Sequence, residues 1–152
     1  MGKTMTRTDL EGCGPILVSA CLLGIYCRYD GRCETDERVM ALSQHHVLIP
    51  VCPEQLGGLP TPRSAVELLD GRAVTRDGAD LPEAFERGVQ QVLRVARLTG
   101  ARAAVLQPRS PSCGRGIIYD GTFSSTRIEG DGALTQCLRA QEFLLLVPDE
   151  LG

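Results

Sequence analysis

The sequence predicts an α/β protein: a three-layer, open parallel sheet of about four strands, Rossmann- or flavodoxin-like, with its site at the carboxyl ends of the strands. Two observations lead there. Four short apolar runs, Ile16 to Ala20, Val47 to Val51, Ala103 to Leu106 and Phe143 to Val147, have the length of buried strands. Stretches with helical periodicity alternate with them, as crossovers between parallel strands require. A chain of 152 residues is the size of one domain and buries a core without disulfide staples.

In chain order, Met1 to Gly14 is polar with scattered glycines and is expected as a flexible lead-in, leaving 15–152 as a single domain. The first strand, Ile16 to Ala20, runs into Cys21-Leu22-Leu23-Gly24. A loop follows to Gly31, with Tyr29-Asp30-Gly31 as its turn. Thr35 is the expected cap of a helix from Asp36 to Gln44. Val47 to Val51 forms the second strand, with Pro50 inside it and Cys52-Pro53 stopping it. Glu54 to Arg63 holds Gly57-Gly58, Pro60 and Pro62 and is expected as a rigid loop. Ala65 to Thr75 reads as a hairpin around Asp70-Gly71.

The clearest helix spans Pro82 to Thr99: Phe85, Val89, Val92, Leu93 and Ala96 recur at three- and four-residue steps, and Gly100 ends it. The third strand, Ala103 to Leu106, leads into a loop rich in Pro, Ser and Gly that reaches Gly116. Ile117 to Gly132 is expected to hold little regular structure. Ala133 to Gln141 is a shorter helix and Phe143 to Val147 the fourth strand. The strand order expected for a ligand crevice is second, first, third, fourth.

Composition narrows the partners. Hydrophobic residues are 43% and charged residues 23%, the profile of a globular chain. The net charge of −3 offers no broad basic surface, and 4% aromatics with no Trp give no stacking platform, which argues against nucleic acid. No run is long enough to span a bilayer, and no apolar segment near Met1 resembles a secretory signal, so a cytoplasmic protein without membrane partners is expected. A small molecule is the expected partner, and the chain is expected to be a monomer or weak homo-oligomer. No G-x-G-x-x-G or Walker loop is present, and a phosphatase-type Cys-x5-Arg pattern at Cys21 fails because Cys27 occupies the Arg position.

Seven cysteines in a chain expected to be cytoplasmic point to metal ligation, catalysis or burial rather than disulfides. Cys21 and Cys52 follow the first two strands, and Cys113 lies in the loop after the third. Adjacent parallel strands bring three such loops to one crevice, where three thiolates can hold a compact metal centre. The short paired spacings of structural zinc sites are missing, and three thiolates suit an iron–sulfur cluster with one iron left open, although spacing alone leaves zinc as an alternative. Cys137 reads as core, Cys13 as an incidental thiol, and Cys27 and Cys33 as structural or incidental.

Four blocks occur in order: SACLLG at Ser19, CRYDG at Cys27, VCPEQLGGLPTPR from Val51 to Arg63, and SPSCG from Ser110 to Gly114. Together they resemble the thiouracil desulfidase family over about Ile16 to Val147. The resemblance implies an oxygen-sensitive [4Fe–4S] cluster on Cys21, Cys52 and Cys113, and removal of sulfur from a thiolated pyrimidine, a 2-thiouracil-like base or nucleoside, with release of hydrosulfide and no net redox change. An under-ligated iron suits a soft thiocarbonyl sulfur. Water must then attack the ring carbon, which gives Glu54 the expected role of general base, with Ser112 and then Ser110 orienting water or substrate. Arg63, Arg28 and Asp30, in the motif loops, are the expected substrate contacts or loop supports. The alternative is a non-enzymatic iron–sulfur or zinc module for redox sensing or electron transfer.

Overall fold

A computed structural model describes residues 6–152. Its central sheet has four strands, β1 (Ile16–Ser19), β2 (Leu48–Val51), β5 (Ala103–Val105) and β8 (Leu144–Leu146), in the order β2-β1-β5-β8. Every neighbouring pair is parallel, with Ile16 beside Leu48 on one side and beside Ala103 on the other. This is the order expected from the sequence. Pro50 sits in β2 opposite Val18, and β2 is an edge strand, where a missing backbone N–H is tolerated.

Side chains along these strands alternate between two faces. Ile16, Val18, Ala103, Val105 and Leu146 pack on one side with Val39 and Leu42 of α1 (Glu37–Ala41) and the 3-10 turn after it. Leu17, Ala104 and Leu145 pack on the other side against α3 (Pro82–Thr99) and α4 (Ala133–Ala140). Each fully buried Leu, Ile or Val contributes about 1.5–3 kcal/mol, so the two faces together secure the three-layer arrangement. Helix α3 has the bounds the periodicity predicts. Pro82 occupies its first turn, and Gly100 ends it in the left-handed region at φ 76°.

Two antiparallel hairpins stand beside the sheet. One joins β3 (Val66–Leu69) to β4 (Arg72–Thr75) through Asp70-Gly71, as expected. The other pairs β6 (Ile117–Tyr119) with β7 (Arg127–Glu129), where the sequence suggests little regular structure. Its strands are three residues long and β7 is exposed throughout, so no apolar alternation announces it. The Glu67 carboxylate holds its tip by accepting from the backbone N–H groups of Gly121 and Phe123, each at 3.1 Å.

Three further segments carry local structure beyond what the sequence announces. The segment expected as a flexible lead-in contains a 3-10 turn at Arg7–Leu10 whose Leu10 is fully buried against the sheet, with Cys13 packed on the same cluster. Its first five residues lie outside the described ones. The cap of α1 is Asp36 rather than Thr35: its carboxylate accepts from the N–H groups of Arg38 and Val39 at 2.9 and 3.3 Å. That helix is α-helical only to Ala41 and ends in a 3-10 turn. The expected rigid loop begins with a one-turn helix, α2 (Pro53–Leu56), because Pro53 presets the dihedral of a first helical residue.

Candidate functional site

The carboxyl ends of β1, β2 and β5 open into a cavity of about 300 Å³. Each strand delivers one cysteine to it. Cys21 sits in a 3-10 turn, Ala20–Leu23, that continues β1 directly. Cys52 leaves β2 as the residue capping α2. Cys113 lies in the 110–114 turn, closed by a hydrogen bond from the N–H of Gly114 to the carbonyl of Ser110 at 2.8 Å.

The start of α4 explains how the Cys113 turn is held. Gly132 offers no side-chain cap, so the free N–H groups of the first helical turn need other acceptors. Ala133 and Leu134 donate to the carbonyls of Pro111 and Ser112, both at 2.9 Å, while Gly132 donates to Gly114 at 2.7 Å. Thr135 adds its hydroxyl to the carbonyl of Cys113 at 2.8 Å. The SPSCG loop is therefore clamped to a helix on four successive carbonyls.

All seven cysteines carry free thiols, and four of them, including Cys27, line the cavity. Cys27, read from sequence as structural or incidental, is 2% exposed and its thiol interacts with those of Cys21 and Cys52. The Cys21 thiol beside it is the main cause that raises Cys27 to about 11. The neighbouring Cys27 thiol and then burial raise Cys52 as well. Burial alone is the main cause for Cys113, pushed up to about 12. No three His, Cys, Asp or Glu side chains among the described residues converge on one point as ligands of a single ion do. The donor set is instead soft, unoxidised and spread around one cavity, and it fits a multi-iron centre, whose ligands surround a cluster.

One wall of the cavity carries the proposed acid–base groups. Glu54, on α2, is 8% exposed. Its Oε1 accepts from Arg63 Nε at 3.0 Å and its Oε2 from Ser112 Oγ at 2.9 Å. Ser110 Oγ lies 3.1 Å from Ser112 Oγ and accepts from the N–H groups of Ser112 and Cys113 at 3.2 and 3.0 Å. A hydroxyl has one hydrogen. Ser112 gives its hydrogen to the carboxylate, so Ser110 donates to Ser112, and the chain runs Ser110 to Ser112 to Glu54.

Arg63 also donates from Nη2 to the carbonyl of Cys27 at 2.9 Å and so links α2 to the CRYDG loop. The sequence-predicted Arg28 lines the cavity and pairs with Asp30 and Glu34 at 3.5 and 3.3 Å. Asp30 is not among the lining residues; its carboxylate accepts from the N–H of Arg32 at 3.0 Å and shapes the loop. Sequence reasoning missed Gln107, Glu34, Tyr29 and Tyr119, which also line the cavity. Tyr119 arrives on the unexpected hairpin, and no spacing signal ties any of them to the cysteines.

The chain resembles known proteins in sequence and in fold. The profile of the family described as 2-thiouracil desulfurase matches residues 16–150. A Bacillus subtilis (strain 168) relative, described as uncharacterized protein YbbK, is 37% identical over 147 residues, spanning 90% of this chain and 97% of its own. A solved structure described as the [4Fe-4S]-dependent thiouracil desulfidase TudS superposes with a TM-score of 0.85 at 38% identity. The match covers 91% of this chain and 93% of that one.

Proposed function

The chain belongs to the 2-thiouracil desulfurase family, and from that premise we propose that it hydrolyses the thiocarbonyl of a thiolated pyrimidine, a 2-thiouracil-like base or nucleoside, at the cavity above β1, β2 and β5. Thiocarbonyl and water become carbonyl and hydrosulfide, with no change in oxidation state. The observation that carries the reading is the meeting of Cys21, Cys52 and Cys113 with the Glu54–Ser112 pair on one cavity.

Cys21, Cys52 and Cys113 would hold a [4Fe–4S] cluster as its only protein ligands. When bound, such a cluster supplies an open iron, a Lewis acid suited to thiocarbonyl sulfur. The protein's own part is to deliver water to the ring carbon. Glu54 takes a proton from that water through Ser112, since Ser112 Oγ is already hydrogen-bonded to its Oε2. Ser110 fixes the Ser112 hydroxyl, and Arg63 holds the other carboxylate oxygen so that Oε2 faces the serines. Arg28 and the two tyrosines form the outer wall against which a planar ring is placed.

Iron and acid-labile sulfide after anaerobic reconstitution test the reading, followed by conversion of 2-thiouracil to uracil. About four of each per chain, lost in Cys21→Ala, together with turnover, is the expected result. Zinc in place of iron, or a loaded protein that leaves 2-thiouracil unchanged, would overturn it and favour a redox module.

A further inference from the structure

Gln107 follows β5 and lines the same cavity as Glu54, Ser110 and Ser112. Its backbone N–H donates to Ser19 Oγ at 2.9 Å, which ties it to the end of β1. Its side chain bridges two other lining residues: Nε2 donates to Glu34, and Oε1 accepts from Cys21 Sγ at 3.6 Å. The orientation of this amide follows from its partners. An ionised carboxylate only accepts, so Glu34 takes the amide nitrogen and never the oxygen. Glu34 is itself held, with Arg28 Nη1 at 3.3 Å from its other oxygen. Turning the amide over would set its oxygen against a carboxylate oxygen of Glu34.

The chain Arg28–Glu34–Gln107 therefore presents a carbonyl oxygen beside Cys21. That oxygen has two lone pairs, and a Cys21 that ligates the cluster is a thiolate with no hydrogen to give it, so both are open to an occupant. An acceptor held in place selects a donor. We propose that Gln107 Oε1 reads the ring N–H next to the thiocarbonyl, so that the site prefers uracil-type lactam rings over cytosine-type rings, whose corresponding nitrogen carries a lone pair. The identity of the occupant rests on the desulfidase reading; the polarity of the contact rests on the Gln107 and Glu34 geometry. Opposing lone pairs would leave two acceptors unsatisfied, which is how a site rejects a near-isosteric ring. The Glu34 side chain is 53% exposed, so water softens the discrimination at this wall.

The test is equilibrium binding of 1-methyluracil and 1-methylcytosine to the iron-loaded chain by titration calorimetry. The methyl group removes the other ring N–H, and the two probes have nearly the same shape. Wild type is expected to bind 1-methyluracil at least about tenfold tighter. Gln107→Ala brings the two within about threefold while iron content stays unchanged, and Glu34→Gln, which lets the amide turn, gives a ratio between these. Equal binding by wild type, or an unchanged ratio in Gln107→Ala, overturns the proposal. Turnover of 2-thiouracil is measured on the same wild-type sample. Preference without turnover refutes the desulfidase reading alone, and turnover without preference refutes the role of Gln107 alone.

Discussion

Arg63 Nε stands 3.0 Å from Glu54 Oε1, an ion pair whose side chains are 6% and 10% exposed. The same guanidinium reaches the Cys27 carbonyl through Nη2 and the Thr61 hydroxyl through Nη1 at 2.9 Å each. One side chain thus orients the carboxylate and fastens the two loops that flank it. Removing one partner of a buried pair leaves the other charge uncompensated. Arg63→Ala is expected to cost about 3–5 kcal/mol in urea unfolding of the cluster-free protein. Arg63→Lys keeps the charge without the planar fork and should fall between. A loss below about 1 kcal/mol for Arg63→Ala, the range of exposed pairs, would show that the pair contributes little.

The hydrogen count along Ser110, Ser112 and Glu54 gives the second expectation. Glu54→Gln keeps the shape and removes the base, so kcat for 2-thiouracil should fall by about 10²–10⁴ with iron content unchanged. Ser112→Ala interrupts the chain but leaves the carboxylate, and a smaller fall is expected. Steady-state kinetics on iron-quantified samples decides. Undiminished turnover in Glu54→Gln removes this carboxylate from the chemistry.

The parts of this fold visible in the sequence are those that repeat a local pattern. Helix α3 shows its apolar stripe, and Cys21 and Cys52 directly follow, and Cys113 lies in the loop after, apolar runs that pair in the expected order. What stayed hidden depends on tertiary contacts. The turn of α2 looks like loop because Pro and Gly dominate its surroundings, while in the fold it is seated closely against α3. The β6–β7 hairpin lacks an apolar face, and Glu67, more than fifty residues earlier in the chain, secures its tip. Gln107 and Glu34 meet at the cavity from two loops far apart in the chain, so neither position marks itself.

Asp36 connects the fold to the Cys21 turn and responds to pH. Its backbone N–H donates to the Leu22 carbonyl at 3.0 Å, and that of Glu34 donates to Cys21 at 2.9 Å, so the start of α1 holds the turn in place. The Arg38 side chain, with help from the capped N–H groups, keeps the Asp36 carboxyl below its ordinary 3.8. A depressed carboxyl contributes stability above its unfolded pKa and loses it as pH falls through the folded value. Asp36→Ala is expected to cost about 1 kcal/mol at pH 7. Asp36→Asn still caps but does not titrate, and its deficit relative to wild type should shrink below pH 3.8. Urea midpoints at pH 7 and pH 3 test both; an unchanged gap at pH 3 would place the acid sensitivity elsewhere.

Helices α2 and α3 approach so closely that each needs a glycine. A Cβ on Gly88 would lie 1.9 Å from the Pro53 carbonyl oxygen, and one on Gly57 would lie 2.1 Å from that of Ala84. Both obstacles are backbone, so neither can turn aside as a side chain would. Relief requires α2 to move away from α3, and α2 carries Glu54 with Cys52 at its cap. Gly88→Ala raises helix propensity, yet overpacking should make it destabilising by about 1–3 kcal/mol. Gln91→Ala, on the exposed side of the same helix, should stay within about 0.5 kcal/mol. Because the displaced element bears a thiol and the carboxylate, Gly88→Ala should also lower iron per chain after reconstitution. A variant that loses stability but keeps full iron loading and turnover would mean that the helix contact supports the fold without setting the site.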